Sequence, residues 1–515
     1  MARCMSNEGT NFKWIILLLI ITFYGAILRL YDLGSQSFWM DEATSAIHGL
    51  AILKHCIPLL PNGVLSWNFA PAHYLIAAGI LISDNIHTGA RLLGSISGVI
   101  LIPAVYFLSC QISRSRMQAI VSSGIVAVLY YEIGWSRQAR MYSYMQLFTV
   151  AAIGFFFYFL DNRKTLYFLI SGTLMILGIF THPAGFIAPL IMAIAIILEI
   201  PRFKYWITWL REHPRFIVLM VILCAASILV FLKILDFSKA YFSKGLLPET
   251  YFPVLLRKYL RFIYFQLRYL VFWVVGGVLL SLVMFFTRDK KEVRRFVPLV
   301  LAAGCYLLII SAKVPNCHRR YILPIFIFFP IFASYLLVWL VKKIRIFKQY
   351  SYYRWAYTGI TVAFAASLLS ANLGFRLRSE YYLETTAPQP DWRRGYEWIL
   401  EDAKTRHSNA DKFVIATAFP RFNYIYAGEK GIDSYYLPCF WTPKSMWPVK
   451  DIAPYTKSIT ITNIGELSRL SGYVILDQFG LRRQRNPEIR RILQKKKYLH
   501  HIPSQGGFDL TIWEI

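Results

Sequence analysis

The sequence has few of the residues that mark disulfide-rich or metal-binding proteins. Its seven cysteines are scattered along 515 residues, without CxxC pairs or zinc-ligand spacing. Cys110, Cys224 and Cys305 fall within long apolar runs. This distribution gives neither a disulfide framework nor a metal site. The compartment therefore has to be inferred from membrane topology.

Charge is also scarce, and one sign dominates. Only 16% of the residues are charged, whereas 56% are hydrophobic and 17% are aromatic. A soluble chain of this length would carry more charge. The 56 Lys and Arg outnumber the 28 Asp and Glu, which gives a net charge of +28. Because many of the cations lie in short loops beside apolar runs, they fit the positive-inside rule and anionic lipid headgroups better than a nucleic acid.

Long apolar runs recur between residues 14 and 372, each near the ~20 residues that a helix needs to cross a bilayer. We therefore expect a polytopic α-helical membrane protein with about eleven transmembrane helices. The first run lacks a small-residue cleavage site and is interpreted as a retained span. The predicted spans are 14–30, 91–112, 117–134, 141–160, 165–181, 183–200, 215–235, 266–287, 296–313, 321–341 and 355–372.

The loop charges predict the orientation in the cell membrane. Six basic segments would be cytoplasmic, and the alternation with the predicted spans then has no exception. The segments between them, and the C-terminal residues, would lie on the extracytoplasmic side. The six basic segments are the N-terminus with Arg3 and Lys13, 113–116, 161–164, 201–215, 288–295 and 342–354.

The outer segment 31–90 does not read as a simple loop. Its apolar stretch 69–83 is too short to span, because about 15 helical residues reach only ~23 Å against a hydrocarbon core of ~30 Å. We expect a half-inserted or interfacial helix there. Irregular backbone at that depth is tolerated only where it lines a cavity, so the segment is predicted to form a pocket.

Polar residues at the predicted outer ends of the spans are the candidates for a functional site. Ionisable groups at such positions are costly unless they face a cavity or each other, so their concentration on one side predicts one shared polar site. The candidate pocket residues are His73, Tyr74, Arg91, Gln138, Tyr142, His182 and Tyr321.

Two adjacent carboxylates, Asp41 and Glu42, follow the first span. A carboxylate in a partly apolar pocket can act as a general base for a hydroxyl or amine, but acidic pairs also cap helices and form salt bridges. Arg137 and Arg140 stand at the outer mouth of a span, where arginine forks suit phosphate oxygens. Snorkelling towards lipid headgroups is the alternative for these arginines.

Two further cationic groups are predicted outside the membrane. Arg257, Arg261 and Arg268 share a helical face, which indicates either an amphipathic helix on the bilayer or a cover over a cavity that meets a lipid phosphate. His318, Arg319 and Arg320 precede a span. A lone histidine such as His182 or His318 is more often structural than functional.

Short motifs occur in a fixed order over residues 12–340. Ala70-Pro71-Ala72-His73-Tyr74-Leu75 is similar to His-Pro-Pro-Leu-Tyr-Tyr, and Ser136-Arg137-Gln138-Ala139-Arg140-Met141-Tyr142 is similar to Ser-Gln-Glu-Ala-Arg-Met-Tyr. With Asp41-Glu42, Arg91-Leu92-Leu93-Gly94-Ser95, Thr181-His182 and Arg320-Tyr321-Ile322-Leu323-Pro324, the sequence resembles the GT-C membrane glycosyltransferases. The resemblance is strongest to their protein mannosyltransferase and lipid A aminoarabinose transferase branch.

The resemblance implies an inverting transfer of a sugar from a polyprenyl-phosphate donor to a glycan, lipid or protein acceptor. Asp41, with Glu42 beside it, would supply the catalytic base. The leaving phosphate needs cations, and the candidates are Arg137, Arg140, His318, Arg319 and Arg320, with Arg257 and Arg261 behind them.

Two positions depart from the family pattern. Ala70 stands where relatives often carry His or Lys ahead of the proline, so another cation would have to contact the lipid phosphate. Gln138 stands where relatives carry Glu. Losing this second carboxylate weakens the case for a divalent metal, which needs hard oxygen ligands, so we expect metal-independent transfer without a cofactor.

The chain is predicted to divide into a membrane domain at 1–372 and an extracytoplasmic domain at 373–515. Helix-like stretches at 391–406 and 487–496 alternate with β runs at 412–416 and 473–477, and a strand pair closes the chain, so a small α/β domain is expected. It has no Gly-rich phosphate loop. A packing lid is its expected role, with acceptor binding as the alternative.

Two other functions are consistent with many spans and outward cations. A transporter or flippase would favour a mid-bilayer site with internal repeats, and no repeat is found. A ligase that uses a diphosphate-linked oligosaccharide would show outward arginines but would not require the Asp-Glu pair.

Overall fold

A computed structural model describes residues 8–199, 251–287, 294–313, 318–345, 352–381, 390–406, 413–428, 432–437, 456, 458–461, 464–482, 484, 486–504 and 509–515. The chain forms two compact units. Unit 1 contains Met1–Tyr31, Ser95–Ser136 and Met141–Leu377, and unit 2 contains Asp32–Gly94, Arg137–Arg140 and Arg378–Ile515.

Helices make up most of the described structure. The helices that precede the sheet are α1 (Glu8–Leu30), α2 (Met40–His55), α3 (Ala70–Ile82), α4 (Ile86–Ser113), α5 (Arg116–Val128), α6 (Tyr130–Ser136), α7 (Tyr142–Asn162), α8 (Thr165–Thr181), α9 (Ile187–Glu199), α10 (Tyr251–Leu267), α11 (Leu270–Phe286), α12 (Phe296–Lys313), α13 (Leu323–Phe326), α14 (Phe328–Arg345), α15 (Tyr353–Ser370) and α16 (Trp392–Arg406). Two 3-10 helices, Pro183–Phe186 and Arg319–Ile322, precede α9 and α13.

Three helices among the described residues are long and apolar enough to cross a membrane, and two bent helix pairs raise the number to as many as five. Shorter apolar helices occupy other predicted spans. The predicted span 215–235 lies outside the described residues. A helical membrane protein with a small C-terminal sheet is confirmed, and the number of eleven spans stays a prediction. The three long helices are Phe12–Leu30, Ile86–Ser113 and Tyr142–Asn162.

Helices α10 and α11 meet at a bend of 113°. Arg268, between them, has a φ of 44°, a left-handed backbone conformation that ends α10. Arg257 and Arg261 lie on the exposed face of α10, whereas Phe262 is buried. A basic, amphipathic helix nearly perpendicular to an apolar one is typical of a helix that lies along a membrane surface.

The span predicted at 117–134 is broken at Leu129. Helix α5 ends before this residue and α6 begins after it, while Leu129 forms an antiparallel bridge with Leu373. The Gly374 N–H donates to the Val128 carbonyl at 2.7 Å, and the Tyr130 N–H donates to the Asn372 carbonyl at 3.1 Å. The break is tolerated because these bonds satisfy the backbone groups that the interrupted helix leaves open.

The short outer helix predicted at 69–83 is α3, with 13 residues. It packs closely against the start of α4 in unit 2. A Cβ added to Gly79 would lie 2.3 Å from the Gly89 carbonyl oxygen, a distance that no side chain tolerates. The two glycines therefore allow the chain to reverse direction between the two helices within a few residues.

The C-terminal residues form a mixed six-stranded sheet. Its strand order is β3-β2-β1-β4-β6-β5, with β3, β2, β1 and β4 parallel and the last two pairs antiparallel. The remaining elements are β1 (Val414–Thr417), α17 (Pro420–Tyr426), β2 (Asp433–Tyr436), β3 (Ile459–Thr460), α18 (Ile464–Leu467), β4 (Gly472–Asp477), α19 (Gln478–Arg482), α20 (Pro487–Lys495), β5 (His500–Ile502) and β6 (Leu510–Glu514).

The sheet matches the α/β pattern expected from the sequence. Strand β4 is buried along its whole length, as expected for a central strand covered on both faces of the sheet. Helix α20 packs Ile489 and Leu493 into a core with Val474, Leu476 and Trp513. The short strands β2 and β3 carry too little apolar sequence to be predicted.

Candidate functional site

The first turn of α2 carries Asp41 and Glu42 in different surroundings. Acidic groups are favoured there because the helix dipole is positive at its N-terminus. The side chain of Asp41 is 23% exposed, whereas that of Glu42 is 2% exposed. Consecutive helical side chains diverge by about 100°, so one carboxylate faces outward and the other inward.

Glu42 is held in a buried ion pair with Arg91 of α4. Two parallel bonds join them, from Arg91 Nε to Glu42 Oε1 and from Nη2 to Oε2, both 2.8 Å. The Ala139 N–H donates to the same carboxylate at 2.8 Å. Arg91 also donates to the carbonyls of Leu33 and Gln36. One ion pair therefore fastens three separate segments of unit 2.

Arg140 lies against Asp41. Its Nη2 is 3.5 Å from Asp41 Oδ2, and its Nη1 donates to the Asp41 carbonyl at 2.9 Å and to Ser45 Oγ at 3.0 Å. The guanidinium also stands over the Trp39 ring at 5.9 Å. Within the described residues, Arg140 Nε is buried without a hydrogen-bond partner. The site thus places a cation and a partly exposed carboxylate side by side.

Arg137 holds the backbone around this turn. Its Nη2 donates to the carbonyls of Asp32 at 3.3 Å and Ser379 at 3.0 Å, and its guanidinium stands over the Tyr381 ring at 5.0 Å. Burial lowers the pKa of Arg137 to about 10. The guanidinium remains charged at neutral pH. Gln138, next to it, is half-buried, and its Oε1 has no hydrogen-bond partner in the described part of the chain.

Two stacked histidines line the inner side of α2. The rings of His48 and His73 are 4.1 Å apart, and His48 bonds to the Thr44 carbonyl at 2.8 Å and to Ser66 Oγ at 3.1 Å. Burial is the main cause that lowers the pKa of His48 to about 4, so the ring is neutral at pH 7. Tyr74, by contrast, is exposed and donates to the Cys56 carbonyl at 2.9 Å.

C-terminal residues hold the chain just before α2. Arg393 donates to the carbonyls of Gly34 at 3.2 Å and Ser35 at 2.6 Å. The Tyr426 hydroxyl is 3.3 Å from Ser37 Oγ and 2.9 Å from His87 Nε2. The C-terminal residues of unit 2 therefore bind the segment before α2, which sets the position of Asp41.

Unit 1 contains the second predicted cationic group. His318, Arg319, Arg320 and Tyr321 form the 3-10 turn before α13. The Arg319 guanidinium stands 4.9 Å above Phe262 of α10, the helix that carries Arg257 and Arg261. The Tyr321 carbonyl accepts a bond from the Tyr306 hydroxyl at 2.7 Å. The turn and α10 are therefore in contact.

Tyr142 and His182 also lie together in unit 1. Their rings are 5.1 Å apart, and Trp135 packs edge-on against Tyr142 at 4.8 Å. His182 Nδ1 accepts the Ala184 N–H at 3.1 Å and so caps the following 3-10 helix. This cap is the structural role that remained open for His182.

Sequence reasoning missed three buried polar residues of unit 1. The Gln146 amide donates to Glu132 Oε1 at 3.2 Å and to the Leu323 carbonyl at 3.0 Å, directly after the cationic turn. Arg29, at the end of α1, donates to the Val126 and Ala127 carbonyls where α5 is broken. An ionisable residue inside an apolar run is itself the signal that could have indicated Arg29 and Glu132.

The described residues contain no group of three His, Cys, Asp or Glu side chains placed to hold a metal ion. Unit 2 brings together Asp41, Glu42, Arg91, Arg137 and Arg140. Unit 1 brings Arg319 to α10 and Tyr142 to His182. The expected metal independence stays a prediction.

Several solved structures resemble this chain. No family model matches the sequence, and no curated protein matches it. Archaeal oligosaccharyltransferase AglB from Archaeoglobus fulgidus, in complex with an inhibitory peptide and a dolichol-phosphate, superposes with a TM-score of 0.59 at 14% identity, covering 92% of this chain and 70% of its own. ArnT from Cupriavidus metallidurans, bound to undecaprenyl phosphate, superposes with a TM-score of 0.55 at 11% identity, covering 99% and 98%.

Proposed function

We propose a function from one premise: the chain has the GT-C fold of membrane glycosyltransferases. The proposed activity is transfer of a sugar from a polyprenyl-phosphate-linked donor to an acceptor hydroxyl or amine on the extracytoplasmic face of the cell membrane. The two solved structures of this fold that hold dolichol-phosphate and undecaprenyl phosphate support this class of donor.

The proposed reaction is a single displacement with inversion. The acceptor oxygen or nitrogen attacks the anomeric carbon of the sugar while Asp41 takes the acceptor's proton. The bond between the anomeric carbon and the phosphate oxygen breaks, and polyprenyl phosphate leaves with the electron pair. Negative charge grows on that phosphate, so cations placed beside it lower the barrier.

The contrast between Asp41 and Glu42 carries this proposal. Asp41 is partly exposed, so an acceptor can reach its carboxylate, and Arg140 lies 3.5 Å away. Glu42 is buried, and both of its oxygens bind Arg91. We therefore assign the base to Asp41 and give Glu42 a positioning role in place of the catalytic one that the sequence suggested.

The arginines of unit 2 also differ in their burial and contacts. Arg140 borders Asp41 and is our candidate in unit 2 for the donor's single phosphate. Arg137 is buried and binds two backbone carbonyls, so its contacts favour a structural role in the turn. Transfer is proposed to need no metal, because the amide of Gln138 is a poorer cation ligand than a carboxylate.

The cations of unit 1 are the alternative candidates for that same phosphate. Arg257 and Arg261 are exposed on the amphipathic helix α10, and Arg319 touches that helix through Phe262. With His318 and Arg320 in the same turn, these groups offer a polyprenyl phosphate several charge-assisted bonds beside an apolar helix face. The Gln146 amide donates to Glu132 and to the Leu323 carbonyl, directly after this turn. We propose that these bonds hold the turn in place.

The proposal is tested with reconstituted protein, a panel of polyprenyl-phospho-sugars and an acceptor extract. Asp41→Asn keeps the shape of the side chain but cannot take a proton, so we expect transfer to fall by roughly 100-fold or more. Asp84→Asn, at an exposed aspartate of the same unit, is the matched control and should keep full activity. Wild-type turnover in folded Asp41→Asn would exclude the base assignment.

A further inference from the structure

The C-terminal residues carry a basic surface that the proposed reaction does not use. We define it by six cations and two apolar side chains on α19, α20 and the turn after α20. The cations are Arg482, Arg490, Arg491, Lys495, Lys496 and Lys497, and the apolar side chains are Ile492 and Tyr498.

Helix α20 has one face in the core and one face directed outward. Asn486 caps its N-terminus by accepting the N–H groups of Glu488 and Ile489. Ile489 and Leu493 are buried in the core. The opposite face therefore presents Arg491, Ile492 and Lys495, together with one carboxylate, Glu488, and all four are exposed.

The cations of the basic surface form no close ion pairs with carboxylates of the described residues. Among the described residues, none of the six has an Asp or Glu oxygen within 4.0 Å. Lys496 donates to the Glu514 carbonyl, and Arg490 donates to the Arg482 carbonyl at 3.2 Å. Backbone carbonyls leave the positive charge in place, so the surface attracts anions.

Two apolar side chains are exposed among these cations. Ile492 is 44% exposed and Tyr498 is 52% exposed. An aliphatic and an aromatic side chain among cations suit a bilayer interface, where ring and alkyl groups enter the headgroup layer and cations meet lipid phosphates.

Protection of a sheet edge is the simplest other explanation. Strand β5 lies at one edge of the sheet, and lysines often blunt such edges. In this chain, however, the edge strand carries His500 and His501, while the cations lie on α20 and the turn before the strand. Edge protection also leaves the exposed Ile492 unexplained.

We propose that the basic surface binds the anionic phospholipid headgroups of the membrane in which the protein is embedded. Each Lys or Arg near an anionic leaflet adds to the attraction, and Ile492 and Tyr498 add shallow insertion. The contact holds the C-terminal residues against the bilayer and does not depend on the proposed sugar transfer.

The test compares full-length protein in nanodiscs of pure phosphatidylcholine with nanodiscs that also contain phosphatidylglycerol. Lysine acetylation is measured by mass spectrometry at Lys495 and Lys497, with exposed Lys404 of α16 as the internal control. We expect acetylation of Lys495 and Lys497 to fall several-fold in the anionic discs and to recover at 1 M salt, where the screening length is ~3 Å. Lys404 should not change.

Two variants separate charge from insertion. Arg491→Gln with Lys495→Gln should abolish the protection of Lys497. Ile492→Ser with Tyr498→Ser should weaken it while leaving its salt dependence. Equal acetylation in both discs, or an equal decrease at Lys404, would overturn the proposal. Protection in neutral discs by an added soluble polyanion, equal to that in anionic discs, would overturn it in favour of a soluble ligand.

Discussion

The two adjacent carboxylates at the start of α2 have different surroundings. The carboxylate of Asp41 contacts solvent and Arg140. Both oxygens of Glu42, by contrast, accept hydrogen bonds from Arg91, and one of them also accepts the Ala139 N–H. A carboxylate that binds an arginine bidentately in a buried site is poorly placed to accept an acceptor's proton. Glu42 instead determines where the turn 137–140, and therefore Arg140, lies.

Removing one partner of the Glu42–Arg91 pair should destabilise the protein strongly. We expect Glu42→Gln to lower the free energy of unfolding by about 3–5 kcal/mol, because Arg91 is left as a buried, uncompensated charge. Thermal unfolding in detergent measures the effect, and exposed Glu401→Gln serves as the control.

The double variant Glu42→Gln with Arg91→Met refines this test. It removes the orphaned charge. Its loss of unfolding free energy should therefore be smaller than the sum of the losses in the two single variants. Additive losses would show that the ion pair is not the source of the effect.

His48 should make stability depend on pH. Burial lowers its folded pKa to about 4, from about 6.5 in the unfolded chain, so the unfolded state binds the proton first as pH falls. The contribution, about 3 kcal/mol, is complete above pH 6.5 and is lost as the pH falls through 4. Unfolding measured from pH 7 to pH 4 should become less pH-dependent in His48→Gln. Exposed His55→Gln should leave the profile unchanged, and a flat wild-type profile would contradict the assignment.

At the scale of the elements, interrupted helices place the polar groups of unit 1. The break between α5 and α6 exposes carbonyls that Arg29 binds, and the next turn carries Glu132. The bend after α10 turns a basic helix away from the direction of α11. Breaks and bends in the helices, and not helix propensity, therefore decide where these polar residues lie.

Gln146 should control the position of the cationic turn. Gln146→Ala removes the bonds to Glu132 and Leu323, so we expect kcat/KM for the polyprenyl-phospho-sugar to fall roughly 10-fold to 100-fold through misplacement of the turn. The loss should appear mainly in donor KM. Gln118→Ala is the matched control, since Gln118 is also buried and also donates to a backbone carbonyl, that of Ile331 at 3.1 Å. An equal loss in both variants would mean general loosening of the helices.

Much of the secondary structure could be predicted from residue order. Helix α3, Arg257 and Arg261 on the exposed face of α10, helix α16 and strand β4 all lie where the pattern of apolar and polar residues indicated. Arg268 does not share that face, because it lies beyond the end of α10. The break at Leu129 could not be predicted, because it depends on residues 372–374, more than 240 positions further along the chain. Tertiary partners of that kind leave no local signal.

At the scale of the whole molecule, unit 2 is assembled from three distant segments. Asp32–Gly94 and Arg137–Arg140 join Arg378–Ile515 in one compact unit. Arg393 and Tyr426 make the contacts that hold residues 34–38. The C-terminal residues thus support the site, in addition to any role as a lid.

The orientation of the molecule gives a further prediction. On a background in which the seven native cysteines are serine, Asp84→Cys and Lys404→Cys should react with a membrane-impermeant maleimide added outside cells. Lys164→Cys, in a loop expected to be cytoplasmic, should react only after the cells are opened. Labelling of positions 84 and 164 from the same side would contradict the predicted topology.

The sequence by itself determined the membrane class, the α/β character of the C-terminal residues and the ordered motifs that resemble GT-C glycosyltransferases, because apolar periodicity and residue order are local properties. Only the tertiary structure decided that Arg140 meets Asp41, that Glu42 is buried against Arg91, and that Gln146 joins Glu132 to the cationic turn. Those roles depend on burial and on partners from distant segments, and a carboxylate's role as base or anchor is set by these surroundings.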